Sequence, residues 1–135
     1  EGATVLEPMV GAYWDRIAVY DFASLYPSIM RAHNFCYSTL VINPSVRARF
    51  PNFKYEDISI AYPCTPESPY IFIFVQYVPC ILPGLLTELA AKRKAVRGEM
   101  RGLPDTPEGR NKAMILDKRQ LAIKVSMNTV YGFTG

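Results

Sequence analysis

The 135-residue chain is poor in the residues that build metal clusters and disulfide frameworks. It has three cysteines (Cys36, Cys64 and Cys80) and a single histidine, His33. No two cysteines have the C-x-x-C spacing and their number is odd, which disfavours both a disulfide scaffold and a zinc cluster. One histidine also argues against His-rich metal sites and against a Ser-His-Asp hydrolase.

Long apolar segments and targeting signals are missing as well. The longest apolar run, Tyr70–Val75, is far shorter than the roughly 20 residues that span a bilayer. The first residues lack the basic-then-apolar pattern of a signal peptide. Half of the residues are hydrophobic and 20% are charged, which is typical of one globular domain or a piece of one. We therefore expect a soluble protein of a reducing compartment, with no membrane association.

Positive charge is concentrated in the C-terminal part. Residues 1–80 hold five basic and seven acidic residues, whereas residues 81–135 hold ten basic and five acidic residues. An anionic partner such as a phosphate-bearing ligand fits this asymmetry. Charge alone favours the plainer alternative, a solvated helical surface.

The N-terminal part has the pattern of strands around one helix. Four strands are predicted, at Ala3–Glu7, Arg16–Phe22, Ile58–Tyr62 and Pro69–Val78. Arg16–Phe22 is apolar on both faces and is expected to be central in its sheet. A helix is predicted from Ser24 to about Ala32, with Pro27 in its first turn. The rest of Asn34–Pro69 is expected to be irregular.

Two long helices are predicted to follow. The first covers Ile81–Arg101 and is opened by Pro83, and Gly102–Thr106 forms the turn after it. Thr106 is expected to cap a second helix that runs to about Tyr131 and stops at Gly132. Because the connection is short, the two helices form an antiparallel hairpin. The predicted fold class is α+β, with strands and one helix beside a projecting helical hairpin.

The second helix has two dissimilar faces when it is drawn at about 100° per residue. Its hydrogen-bonding face holds Asp117, Gln120, Lys124, Asn128 and Tyr131. Its apolar face holds Ile115, Ala122, Val125, Thr129 and Val130. A row of lysine, amide and phenol groups suits phosphate, sugar and base, but a solvated polar face remains an equal alternative.

Arg93 lies inside the apolar stripe of the first helix. That stripe consists of Leu82, Leu85, Leu86, Leu89, Val96 and Met100. A buried, unpaired guanidinium is costly, so either Arg93 has an internal carboxylate as its partner or the stripe stops being core near Leu89, where the hairpin projects and an anion can reach Arg93. With Arg97 one turn away, flanked by Lys94 and Arg101, two guanidinium groups can grip one polyphosphate.

Asp21 is predicted to end a strand just before a turn and a helix. Its carboxylate can hold a divalent metal, while the backbone N–H groups of Ser24, Leu25 and Tyr26 lie at the helix start, where anions bind. A metal ligand beside an anion site suits phosphoryl transfer, although Asp21 as a simple helix cap is an alternative. A two-metal site needs a second carboxylate, and no other strand of the chain offers one.

Three segments resemble motifs of family B DNA polymerases. Asp21–Ser28 (DFASLYPS) resembles the first palm motif, Lys124–Gly135 (KVSMNTVYGFTG) the fingers motif, and Arg93–Gly98 (RKAVRG) the basic signature of the other fingers helix. Ala32–Leu40 is similar to the delta-type branch and to the polymerases of large DNA viruses. The resemblance covers nearly the whole chain and is weakest at Asn43–Pro69.

The resemblance implies a fragment of a DNA-directed DNA polymerase. Residues 1–80 would form a partial palm, 81–131 the fingers hairpin and 132–135 the return to the palm. The enzyme would use two Mg²⁺ ions to transfer deoxynucleotides from dNTPs to the primer 3′-OH of a primer-template DNA during DNA replication. The third palm motif, an Asp-Thr-Asp turn, is absent, so the segment alone is expected to be inactive. Any processivity factor would bind elsewhere, and the enzyme would work in the nucleus or at a viral replication site, with the cytoplasm also open.

The resemblance also implies the catalytic and metal roles. Asp21 would hold both Mg²⁺ ions, with the second carboxylate ligand outside this chain, and the Phe22 carbonyl would contact the nucleotide-bound ion. Lys124 would be the second catalytic residue, because it would grip the phosphates when the fingers close. The family more often has Ser where Thr129 stands and Lys where Arg97 stands. Because the guanidinium is fork-shaped and the ammonium is not, Arg97 is expected to contact phosphate differently from lysine.

The remaining nucleotide-binding residues implied by the resemblance are Ser24, Leu25, Tyr26, Arg93, Arg97 and Asn128. The Ser24 and Leu25 N–H groups would hold the triphosphate, and Tyr26 would lie under the deoxyribose as a gate against ribonucleotides. Tyr131 and Gly132 would line the nascent base pair.

Two rival functions remain at this stage. A binding module would hold nucleic acid without chemistry, which explains the basic hairpin but not Asp21. The second rival is an inactivated polymerase relative, which would retain the fold but not the activity. Dependence on Mg²⁺ separates an active polymerase from the first rival.

Overall fold

The computed structural model describes residues 5–62 and 65–134, which together form an α+β fold. The helices are α1 (Leu25–Ala32), α2 (Val46–Arg49), α3 (Ile81–Arg101) and α4 (Pro107–Thr134), and the strands are β1 (Leu40–Val41), β2 (Tyr55–Tyr62) and β3 (Thr65–Val75). The predicted fold class is confirmed. In these two ranges, no helix combines the length and apolarity required to cross a membrane.

The strands form one antiparallel sheet in the order β1-β3-β2. Tyr55 pairs with Val75 and Ile60 with Tyr70, so β2 and β3 make a long hairpin. The predicted strand near Ile58–Tyr62 is therefore confirmed but begins earlier, and β3 begins and ends before the predicted Pro69–Val78. Two short elements, β1 and α2, lie in the segment that was expected to be irregular.

The predicted strand at Arg16–Phe22 is wrong. The segment is irregular, and Val19 and Tyr20 are 88% and 92% exposed. A strand is stable only when a neighbour pairs with it, and no strand among the described residues does so. Residues 5–7 are not a strand either, and the rest of the predicted strand Ala3–Glu7 lies outside the described residues.

The two long helices form the predicted hairpin. Ile81–Arg101 is helical throughout, and the Thr106 hydroxyl accepts a hydrogen bond from the Gly109 N–H at 3.1 Å, which caps α4. Lys112 Nζ lies 2.9 Å from Glu99 Oε1, and further from the turn Arg93 meets Gln120. Contacts that pair later residues of one helix with earlier residues of the other define an antiparallel pair.

The seam between α3 and α4 has alternating spacings of three and four residues, as in helices packed side by side. The buried and half-buried residues that follow this spacing are Leu86, Leu89, Arg93, Val96 and Met100 in α3 and Gly109, Ala113, Leu116, Gln120, Ile123 and Met127 in α4. The predicted apolar face of α4 is therefore wrong, since Ile115 and Val125 are 65% and 56% exposed. Gln120, which was assigned to the polar face, lies in the seam.

The end of α4 also differs from the prediction. The helix continues through Gly132 to Thr134. A glycine stops a helix by adopting a left-handed conformation, and no glycine in the described ranges has a positive φ. The helix is therefore not interrupted at Gly132.

Helix α1 packs against both long helices. The Arg31 Nε donates a hydrogen bond of 2.9 Å to Thr87 Oγ1 on α3. The rings of Tyr26 and Tyr131 stack near the end of α4, with centroids 5.3 Å apart. These contacts hold the start of α1 beside the hairpin.

Candidate nucleotide-binding site

The start of α1 presents backbone donors. Ser24, the residue before the helix, has a left-handed backbone (φ 56°, ψ 62°) and its side chain makes no capping hydrogen bond. Its carbonyl accepts the first helical bond, from the Ser28 N–H at 2.9 Å. The first N–H groups of a helix lack an intrahelical partner, so those of Leu25 and Tyr26 are positioned to meet an anion. The helix itself is as predicted.

A cleft of about 390 Å³ opens between the start of α1 and the hairpin. It is lined by Ser24, Ala90, Arg93, Lys94, Arg97, Gly98, Arg101 and Met127. Four of these residues are cationic and none is acidic, so the cleft concentrates positive charge. We call it the cationic cleft.

Arg93 is held in place without being neutralised. It is half-buried, and its Nε donates to Gln120 Oε1 at 3.1 Å. Gln120 is itself oriented, because its Nε2 donates to Asp117 Oδ1 at 3.0 Å. The predicted alternative of an internal carboxylate is therefore wrong, because the partner of Arg93 Nε is an amide, and the guanidinium remains available to an anion in the cleft.

Several cations elsewhere on the hairpin, including Lys92 and Lys112, are paired with acids. Lys92 Nζ lies 2.6 Å from Glu88 Oε1, and the hydrogen bond from Lys92 lowers the pKa of the Glu88 carboxyl. By contrast, Lys94, Arg97 and Arg101 have no acidic partner among the residues that the structure describes. Unpaired cations therefore face the cleft.

Aromatic and amide groups form a second cluster beside the cleft. Tyr26 stacks on Tyr131 with an interplanar angle of 30°, and the Tyr131 hydroxyl donates to Asn128 Oδ1 at 2.8 Å. Asn128 follows Met127, which lines the cationic cleft. Three residues that the resemblance assigns to sugar and base are thus joined in one cluster.

The predicted metal ligands lie on the irregular segment before α1. Asp21 and Phe22 are exposed and do not line the cleft. A carboxylate and a carbonyl are the hard oxygen donors that Mg²⁺ prefers, so the donor chemistry fits. Within residues 5–62 and 65–134, no three His, Cys, Asp or Glu side chains are grouped to hold a metal ion. The donors suit Mg²⁺ in kind but are too few to form a site alone.

The structure thus brings together only part of the predicted site. Ser24, Arg93 and Arg97 share the cleft, whereas Lys124 and Gly132 are exposed on α4 outside its lining.

Sequence reasoning did not assign Lys94 and Arg101 a role, yet both line the cleft. The four-residue spacing of Arg93, Arg97 and Arg101 was the available signal, because it places three guanidinium groups on one helix face.

Comparison with known proteins agrees with the motifs. The sequence model of DNA polymerase family B matches residues 1–135. The chain is 42% identical to the DNA polymerase catalytic subunit of Saimiriine herpesvirus 2 (strain 11) and 43% identical to the DNA polymerase delta catalytic subunit of Drosophila melanogaster. It is 47% identical to the delta catalytic subunit of Oryza sativa subsp. japonica.

Each of these alignments covers the entire chain but only 13%, 12% and 11% of the respective relative. The chain therefore spans about an eighth of the length of the proteins it matches. The match over its whole length, together with the motifs, shows that this chain belongs to DNA polymerase family B.

Proposed function

We propose that the chain forms the nucleotide-binding part of a template-directed DNA polymerase. The observation that carries the proposal is the cationic cleft, where a helix start meets four cations and no acid. Phosphoryl transfer depends on positioning and on neutralising phosphate charge. The dNTP triphosphate is the ligand whose charge and length suit this cleft.

Two clusters of residues bind different parts of the nucleotide. Arg93 and Arg97 bind the phosphates, with the N–H groups of Ser24 and Leu25 as further donors. Tyr26, Asn128 and Tyr131 contact sugar and base, and Gly132 lets the base pair approach α4. Lys124 lies outside the cleft in this structure, so its phosphate contact requires the hairpin to move during closure.

Metal binding involves Asp21 and the Phe22 carbonyl, together with a second carboxylate from outside this segment. Bound Mg²⁺ would lower the pKa of the primer 3′-OH and stabilise the charge on the leaving pyrophosphate. Since the segment supplies one carboxylate, we expect it to be inactive alone. Primer-template DNA is the partner, a processivity factor would bind elsewhere, and the site of action is the nucleus or a viral replication site.

The test is primer extension by the complete polypeptide that carries this segment. Arg97→Ala should raise KM for dNTPs about tenfold or more, because a charge-assisted hydrogen bond is lost. Lys92→Ala is the matched control, since Lys92 lies on the same helix but pairs with Glu88. Equal effects of the two variants would contradict a phosphate role for the cleft. DNA binding without metal-dependent extension would favour the binding-module alternative.

A further inference from the structure

Two cysteine thiols are neighbours outside the cationic cleft. Cys36 follows α1, and Cys80 is the residue before α3. Each thiol lies close enough to the other to influence its pKa, and Cys80 Sγ contacts Asn34, two positions before Cys36. They are 44 positions apart in the sequence, so the fold itself creates the pair.

The two thiols differ in their hydrogen bonds, because the Cys36 sulfur accepts one and the Cys80 thiol donates one. Cys36 Sγ accepts a hydrogen bond from the Ser38 hydroxyl at 3.1 Å and lines the same pocket as Leu82, in the first turn of α3. A thiol that accepts bonds at a helix start is favoured as the thiolate, which is the nucleophilic form. Burial alone would raise the pKa of Cys36, but hydrogen bonds to its sulfur outweigh it and hold that pKa below its ordinary value.

Cys80 is in the opposite situation. Its Sγ donates to Asn34 Oδ1 at 2.9 Å, and Asn34 is fixed by bonds of 2.9 Å from its Nδ2 to the Val75 and Val78 carbonyls. Burial and the neighbouring Cys36 raise the pKa of Cys80 to about 11. One thiol is therefore activated and its neighbour is kept protonated.

Small reactants can reach the activated thiol. Cys36 is only 8% exposed, but it lines an open apolar pocket of about 240 Å³ together with Phe35, Phe74 and Leu82. The pocket admits a small uncharged molecule more readily than an anion, because its walls are apolar.

We propose that Cys36 and Cys80 form a two-cysteine oxidation site for small hydroperoxides. The Cys36 thiolate attacks the peroxide, an S–O bond forms as the O–O bond breaks, and the released hydroxide or alkoxide takes a proton from water. Cys80 sulfur then attacks the Cys36 sulfenic acid, the S–S bond forms, the S–O bond breaks, and the hydroxide leaves as water with the Cys80 proton. Both thiols are oxidised and the peroxide is reduced.

The disulfide would join the segment after α1 to the start of α3. Because α1 also contacts the hairpin, this bond would restrict how α3 moves relative to α1. The site does not depend on the proposed polymerase activity, so its test needs no activity readout.

The test treats the complete, folded polypeptide with hydrogen peroxide and maps its tryptic peptides without reduction. Cys36 falls in peptide 32–47, whereas Cys64 and Cys80 share peptide 55–92. The expected product links these two peptides and is reversed by dithiothreitol. Cys64→Ser is the control and should retain the link, whereas Cys80→Ser should lose it and accumulate Cys36 sulfenic acid, which a cyclic diketone captures.

The order of reaction is tested with Cys36→Ser. Cys80 should then oxidise about tenfold more slowly than Cys36 does in Cys80→Ser, since its thiolate is disfavoured. Equal rates, or a link that is lost in Cys64→Ser, would overturn the proposal. Wild-type protein that stays folded and yields no linked peptide would overturn it without any variant.

Discussion

Asp21 shows how much of the site depends on a single carboxylate. It is exposed on the segment before α1, and among the described residues neither a salt bridge nor burial gives it a structural role. We predict that Asp21→Ala in the complete polypeptide abolishes primer extension and leaves primer-template binding nearly unchanged. Asp15→Ala is the control, because Asp15 is an exposed carboxylate on the same segment. Extension by the Asp21 variant at close to the wild-type rate would exclude a metal role.

Lys124 tests whether the hairpin closes on the triphosphate. In this structure Lys124 is exposed and outside the cleft lining. If closure brings it to the phosphates, Lys124→Ala raises KM for all four dNTPs by a similar factor, about tenfold. Lys118→Ala, another exposed lysine of α4, should leave KM unchanged. An effect on one base only would contradict a phosphate contact.

Arg93 shows which contacts can be predicted from the sequence and which depend on the fold. The need of Arg93 for a polar partner was predictable, because a guanidinium in an apolar stripe is costly. The identity of that partner was not, since Gln120 is 27 positions away and its orientation depends on how the helices pack. Ser24 and Arg93 are 69 positions apart in the sequence and line the same cleft only because of the fold.

Among the elements, the start of α4 depends on a close backbone approach. A Cβ on Gly109 would lie 2.0 Å from the Pro104 carbonyl oxygen. Relieving this clash requires a backbone segment to shift, which costs free energy. Gly109→Ala should therefore lower the free energy of unfolding by about 2 kcal/mol.

Gly84→Ala provides the matched control within α3. A Cβ at Gly84 meets nothing within 4 Å, so alanine should stabilise that helix by roughly 0.5–1 kcal/mol. Denaturant unfolding of both variants measures the contrast. If Gly109→Ala were as stable as the wild type, the turn from Pro104 to Gly109 would have a different geometry.

The bounds of α3 and the start of α4 were predictable because their signals are local. Pro83, the Gly102–Thr106 turn and the Thr106 cap all lie next to the ends that they define. The packed face of α4 was not predictable, because apolar side chains occur around the whole helix and α3 selects Leu116 and Met127 over Ile115 and Val125. The strand at Arg16–Phe22 failed for a related reason, since its pattern requires a partner that the described residues do not provide.

The molecule as a whole exposes an unusual amount of apolar surface. In residues 5–22, Val10, Trp14 and Tyr20 are each at least 90% exposed. Large exposed apolar patches mark surfaces that another chain segment or partner covers. The relatives are about eight times as long as this chain, so most of their sequence lies outside the matched part.

Trp14 is the only tryptophan and reports on this surface. In the isolated 135-residue chain we predict that iodide quenches its fluorescence as strongly as that of free tryptophan amide, because the side chain is 90% exposed. Titrating the isolated chain with the remainder of the polypeptide should shield it. A protected, blue-shifted Trp14 in the isolated chain would show instead that residues 5–22 pack against the hairpin or the sheet.

The stack of Tyr26 on Tyr131 links substrate selection to the packing of two helices. Under the proposed function, one ring both excludes the ribose hydroxyl and braces α1 against the far end of α4. Replacing Tyr26 to admit modified sugars therefore also weakens the contact between α1 and α4. Variants of Tyr26 that accept other sugars should therefore also change how the hairpin moves. Directed evolution toward unnatural nucleotides should recover compensating substitutions at Tyr131.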